Sequence, residues 1–83
     1  MKIQLKLYAT LTKFLPDGAD NHSVELDVPA GATPTQIIED VKLPKESCFL
    51  VLINGTYLTP EQRDTQPMQE GQTLAIWPPI AGG

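Results

Sequence analysis

The 83-residue chain has one cysteine and one histidine, and each scarcity removes a class of protein. Cys48 has no second cysteine with which to close an intrachain disulfide. With His22 as the sole histidine, no set of thiolates and imidazoles can hold a zinc ion, so no metal is expected. Stability must come from hydrophobic packing, in a chain so short that only about 60% of its unfolded surface can be buried. Basic residues are few, six against ten acidic. The net charge of −4 leaves no basic face for the phosphates of nucleic acid. Long apolar runs are missing too. The run Phe49 to Ile53 falls far short of the roughly 20 residues a membrane span needs. The opening Met1-Lys2-Ile3-Gln4-Leu5-Lys6 is too charged for a secretory signal. A single domain in the reducing cytoplasm, with neither nucleic acid nor membrane as partner, is the expectation.

Catalytic constellations are also missing. His22 sits in a polar stretch with Asp20, Asn21 and Ser23, where a loop tripeptide cannot supply triad geometry. Cys48 has no basic cluster beside it to lower its pKa and reads as a small, semi-buried apolar residue. Asn54-Gly55-Thr56 matches a glycosylation sequon, but Asn-Gly after an apolar run reads as a tight hairpin turn. The chain is expected to have no catalytic residues of its own.

What is present is ordered alternation. Ile3, Leu5 and Leu7 alternate with Lys2, Gln4 and Lys6, the period of a half-buried strand. A short run with Leu11, Phe14 and Leu15 at near-helical spacing ends at Pro16-Asp17-Gly18, and a second strand carries Val24, Leu26 and Val28. Thr33, Pro34 and Gln36 make a capping box with proline at the first helical position, predicting a helix from Pro34 to Lys42. Phe49 to Ile53 forms a third strand, and Thr56 to Leu58 pairs back across Asn54-Gly55. Residues 59–72 read as connector, and Thr73 to Trp77 as the last strand. The core is expected from Ile3, Leu5, Leu7, Val24, Leu26, Val28, Ile37, Ile38, Val41, Val51, Ile53, Leu74 and Ile76. With one main helix, the result is a two-layer α+β domain over residues 1–77, followed by a tail over residues 78–83.

Two features exceed what packing needs. If Phe49, Val51 and Ile53 face the helix, Leu50 and Leu52 face the uncovered side of the sheet, joined by Ala75 and Trp77. Such a cluster marks a partner-binding face, with Trp77 substantially exposed. The tail, Pro78-Pro79-Ile80-Ala81-Gly82-Gly83, begins with a polyproline-like step that holds it off the sheet. It spans about 20 Å when extended. Gly82 and Gly83 lack Cβ atoms, so they can thread a narrow channel and present the terminal carboxylate to another protein.

These residues resemble the ThiS/MoaD sulfur carriers of the ubiquitin-like β-grasp fold. The resemblance rests on the element order, Asn54-Gly55 after an apolar strand, Glu70-Gly71 before the last strand, and above all the Pro-Pro-Ile-Ala-Gly-Gly ending. That ending and the opening Leu7-Tyr8-Ala9-Thr10-Leu11 are most like the small subunit of molybdopterin synthase. Thr12 and the stretch Pro67 to Gln72 depart from the pattern, where many members carry arginine and a Leu-x-Asp-Gly-Asp turn. The resemblance implies a mixed sheet of four to five strands on one main helix, and a carrier whose catalysis is supplied by partners. It implies that Gly83 is adenylated by a ubiquitin-activating-enzyme-like adenylyltransferase using ATP and Mg²⁺, with no cofactor bound to the carrier. A sulfur donor then converts Gly83 to a thiocarboxylate. The arm from Pro78 through Pro79, Ile80, Ala81 and Gly82 threads the partner's channel. The acceptor would be an enzyme such as the large subunit of molybdopterin synthase. Sulfur delivery for thiamine thiazole, tungsten cofactor or another pathway is an alternative. So are a protein modifier conjugated through Gly83, and a docking module with an inert tail.

Overall fold

The computed structural model describes residues 1–79. Its elements, in chain order, are β1 (Lys2–Leu7), β2 (Ser23–Asp27), α1 (Pro34–Asp40), β3 (Leu50–Ile53), β4 (Thr56–Tyr57), α2 (Pro60–Thr65) and β5 (Thr73–Trp77). Short 3-10 helices cover Ala9–Phe14 and Lys45–Ser47. The sheet is five-stranded in the order β2-β1-β5-β3-β4. β1 and β5 run parallel at its centre, and the other neighbours pair antiparallel.

The alternation in β1 and β5 sends Ile3, Leu5, Leu7, Leu74 and Ile76 into the core, each at most 1% exposed. β2 carries Val24 opposite Leu5, and β3 carries Val51 opposite Ile76. Asn54 and Gly55 both have positive φ, 49° and 84°, the type I′ turn that a two-residue hairpin demands. Of the expected core, Leu26 and Val41 pack against it only partly buried. Leu11, Ala32, Leu43, Cys48, Leu58 and Met68 complete the core from turns and loops.

α1 starts where its cap dictates. The Thr33 N–H donates to Gln36 Oε1 at 3.0 Å while the Gln36 N–H donates to Thr33 Oγ1 at 3.3 Å. It stops at Asp40, two residues short of the expected end, because Lys42 turns left-handed with φ 62°. There the Leu43 N–H reaches back to the Ile38 carbonyl at 3.0 Å and the Lys42 N–H to that of Glu39 at 3.1 Å. This is a Schellman end with lysine where glycine is usual.

Two expectations are corrected. Residues 59–72 are not all connector, because α2 lies within them. Thr59-Pro60-Glu61-Gln62 repeats the capping box of α1, with the Thr59 N–H donating to Gln62 Oε1 at 2.9 Å. No residue of α2 is buried, so it lacks an apolar period. It leans on α1 through the Thr35 hydroxyl, which donates to the Asp64 carboxylate. The second correction is Phe49, which precedes β3 and does not face the helix. Its N–H donates to the Trp77 carbonyl at 2.9 Å, although Leu50 is already the residue opposite Trp77. Two residues against one is a bulge, and it breaks the alternation. Phe49 is 59% exposed. Among the described residues no helix is long and apolar enough to cross a membrane.

Candidate functional site: the helix-free face of the sheet

Register places one row of outward side chains across all five strands. Ser23 lies beside Lys6, Lys6 beside Ala75, Ala75 beside Leu52, and Leu52 beside Tyr57. The next row pairs Leu50 with Trp77. The face is therefore divided. Over β2 and β1 it is polar, and the Ser23 hydroxyl donates to Gln4 Oε1 at 3.1 Å. Over β5, β3 and β4 it is apolar, and Leu50, Leu52, Ala75 and Trp77 come together there as the alternation requires. α2 packs on the opposite layer, against α1, and leaves this face open.

Trp77 is less exposed than the alternation alone predicts. The ring of Tyr8 lies on its indole and half-buries it, and the ring of His22 lies 4.7 Å from that of Tyr8. His22 thus packs against the outer side of Tyr8, its ring tilted by 34°. Tyr8 extends the outward series Lys2, Gln4, Lys6 by one step, a signal the alternation contained. Tyr57, 49% exposed, was equally readable, since the two-residue turn at Asn54-Gly55 fixes it opposite Leu52. Phe49 carried no such signal, because its position depends on a bulge. The apolar half of the face thus comprises Leu50, Leu52, Tyr57, Ala75 and Trp77 with Tyr8 over it, and Phe49 lies exposed beside it.

The root of the tail is held from both sides. The Tyr8 N–H donates to the Ile76 carbonyl at 3.2 Å, and that of Phe49 to the Trp77 carbonyl. Pro78 is buried and Pro79 is exposed. Ile80, Ala81, Gly82 and Gly83 lie outside the described residues.

Cys48 is buried at 7% exposure, with its thiol 3.4 Å from the Pro44 carbonyl. Burial pushes the thiol up, and the nearby Arg63 charge opposes this without reversing it. A neutral, covered thiol is a poor nucleophile. A shallow cleft of about 250 Å³ lies above it between α1 and α2, rimmed by Lys45, Arg63 and Asp64. Among the described residues no cluster of histidine, cysteine and carboxylates could hold a metal ion.

The ThiS family model matches residues 5–83. No protein in a search of curated proteins matches the sequence. Solved structures do. SAMP1 from Haloferax volcanii superposes with a TM-score of 0.68 at 23% identity, covering 100% of each chain. A Pyrococcus furiosus protein assigned as subunit 1 of a molybdopterin converting factor gives 0.64 at 22% identity, over 95% of this chain and 98% of its own. A chain from the complex of subunits 1 and 2 of the molybdopterin-converting factor of Helicobacter pylori gives 0.61 at 14% identity, covering 100% of each. At these identities the likeness shows a shared fold, the ubiquitin-like β-grasp.

Proposed function

The chain belongs to the ThiS family of ubiquitin-like sulfur carriers, and we propose that it carries sulfur as a thiocarboxylate on Gly83 for molybdopterin synthesis. The family match runs through residue 83 and so takes in the whole Pro-Pro-Ile-Ala-Gly-Gly ending; this observation carries the proposal. The pathway assignment is supported by that ending and by the fold shared with subunit 1 of molybdopterin-converting factors.

The chemistry follows from what a carboxylate can and cannot do. With an unperturbed pKa of about 3.5, the Gly83 carboxylate is ionised, a poor acyl electrophile but a competent oxygen nucleophile. In a ubiquitin-activating-enzyme-like adenylyltransferase it attacks the α-phosphorus of ATP. A new O–P bond forms, pyrophosphate leaves, and the acyl adenylate has AMP as a good leaving group. Sulfide then adds to the acyl carbon and expels AMP, leaving the thiocarboxylate. Where the donor is a persulfide, a thiol must also reduce the intervening disulfide. ATP and Mg²⁺ belong to the activating enzyme; this chain contributes the carboxylate, the slender arm and the docking face. The thiocarboxylate sulfur next attacks an electrophilic intermediate in the acceptor enzyme. The Helicobacter pylori structure, a complex of subunits 1 and 2, supports a large-subunit acceptor as that partner.

Intact mass tests the reading. Incubation with the adenylating enzyme, ATP and a sulfur donor should raise the mass by the difference between one sulfur and one oxygen. Ladders of lysine conjugates without that change would favour a protein modifier instead.

A further inference from the structure

The geometry points to Phe49 as a specificity-determining contact for the adenylating enzyme, and to Arg63 as the positioning residue that holds it outward. The inference rests on the sulfur-carrier reading above and adds residues to it.

The exposed Phe49 is not a frayed side chain, because its backbone is fixed on both sides. Its N–H donates to the Trp77 carbonyl, and its own carbonyl accepts from Arg63 Nη2 at 3.0 Å. Arg63 Nη1 donates to the Cys48 carbonyl at 3.1 Å. One guanidinium therefore spans two successive carbonyls, a task its planar fork suits and a lysine ammonium cannot reproduce. The need arises from the topology. β4 pairs with β3 only at Leu52 and Ile53, with one more bond from the Leu58 N–H to the Val51 carbonyl. Above that point the edge leading into β3 has no strand beside it, and Arg63 of α2 closes it. The arrangement is costly, since Arg63 is half-buried and its Nε has no hydrogen-bond partner. A carbonyl at a sheet edge would otherwise be satisfied by water. What the costly contact secures is the bulge, and with it the outward Phe49.

The occupant follows from the position of the tail. The arm leaves the sheet after Trp77, whose carbonyl is bonded to the Phe49 N–H, so Phe49 flanks the point of departure. An enzyme that draws Gly83 to its nucleotide covers this point first. Its matching surface would be an apolar recess that accepts a phenyl ring, continuous with the contact over Leu50 and Trp77.

The test is ATP–pyrophosphate exchange by the cognate adenylating enzyme, with the carrier titrated to separate KM from kcat. Failure of the wild-type protein to turn over would overturn the carrier reading itself. Given turnover, Phe49→Ala should raise KM about tenfold with kcat and melting temperature unchanged, as loss of a contact remote from the reacting carboxylate does. Arg63→Lys should raise KM about threefold in the wild-type background and have no further effect in Phe49→Ala. An unchanged KM for Phe49→Ala overturns the contact. Effects of the two changes that multiply overturn the positioning role, because Arg63 would then act elsewhere. Phe49→Ala alters an exposed side chain, so this arm of the test does not depend on how well the Arg63 variant folds.

Discussion

The rings of Tyr8 and Trp77 lie flat on each other, centroids 3.9 Å apart and planes 2° from parallel. The contact joins the end of β1 to the end of β5 on the open side of the sheet, one residue before the arm begins. An aromatic pair of this kind contributes about 0.5–1.5 kcal/mol beyond its buried area. It also fixes the indole rotamer, so Trp77 is a rigid element of the open apolar face.

Truncating that indole should therefore be felt in binding. Trp77→Ala is expected to weaken association with the adenylating enzyme by about 2 kcal/mol, the loss typical of a central anchor. Titration calorimetry against the enzyme without ATP measures it. A change below about 0.5 kcal/mol would remove Trp77 from the interface.

The cap of α2 should be worth as much as the cap of α1. Replacing Thr59 or Thr33 by alanine deletes an acceptor for the third helical N–H and should cost about 1 kcal/mol in each case. Urea denaturation of the two variants checks this. A Thr59→Ala variant as stable as the parent would mean that the second helix contributes nothing to the folded state.

Most of the architecture was legible because it rests on local rules. Alternation gave β1, β2 and β5, the capping box gave α1, and Asn54-Gly55 gave the hairpin. The second helix was legible too, since Thr59-Pro60-Glu61-Gln62 carries the same cap as Thr33-Pro34-Thr35-Gln36. It is easily passed over because the six residues Pro60–Thr65 bury no side chain and so show no hydrophobic period. The apolar half of the open face was readable at Leu50, Leu52, Ala75 and Trp77 for the same reason as the strands. Phe49 was not, because its direction is decided by a guanidinium fourteen residues ahead in sequence. The burial of Pro78 is likewise a tertiary outcome that proline's own φ preference does not contain.

Lys42 invites a stabilising change. A left-handed φ costs a non-glycine residue about 1–2 kcal/mol; glycine removes that strain but loses about 0.4–1 kcal/mol because it makes the unfolded chain more flexible. Lys42→Gly is expected to gain about 0.5 kcal/mol in urea denaturation. A loss of stability would mean that the lysine side chain holds the turn in some other way.

Burial of Cys48 sets an alkaline limit. Its folded pKa is raised above the ordinary 9.0, so its contribution is present below that value and is lost as pH rises through the folded pKa. The stability difference between the wild-type protein and Cys48→Ala should be constant from neutral pH to about 9 and shrink above it. Urea denaturation at a series of pH values reads this directly. A difference that grows with pH would reverse the sign and contradict the burial argument.

The central claim is that the carboxylate of Gly83 is the reacting group, and adding one alanine after Gly83 tests it most directly. The extra residue moves the carboxylate one step beyond the α-phosphate and brings a Cβ to a channel that glycine passes freely. ATP–pyrophosphate exchange with the adenylating enzyme should then fall to background, while the thermal midpoint matches wild type. Exchange as fast as wild type in the extended protein would contradict the account, because the reacting group would not be that carboxylate.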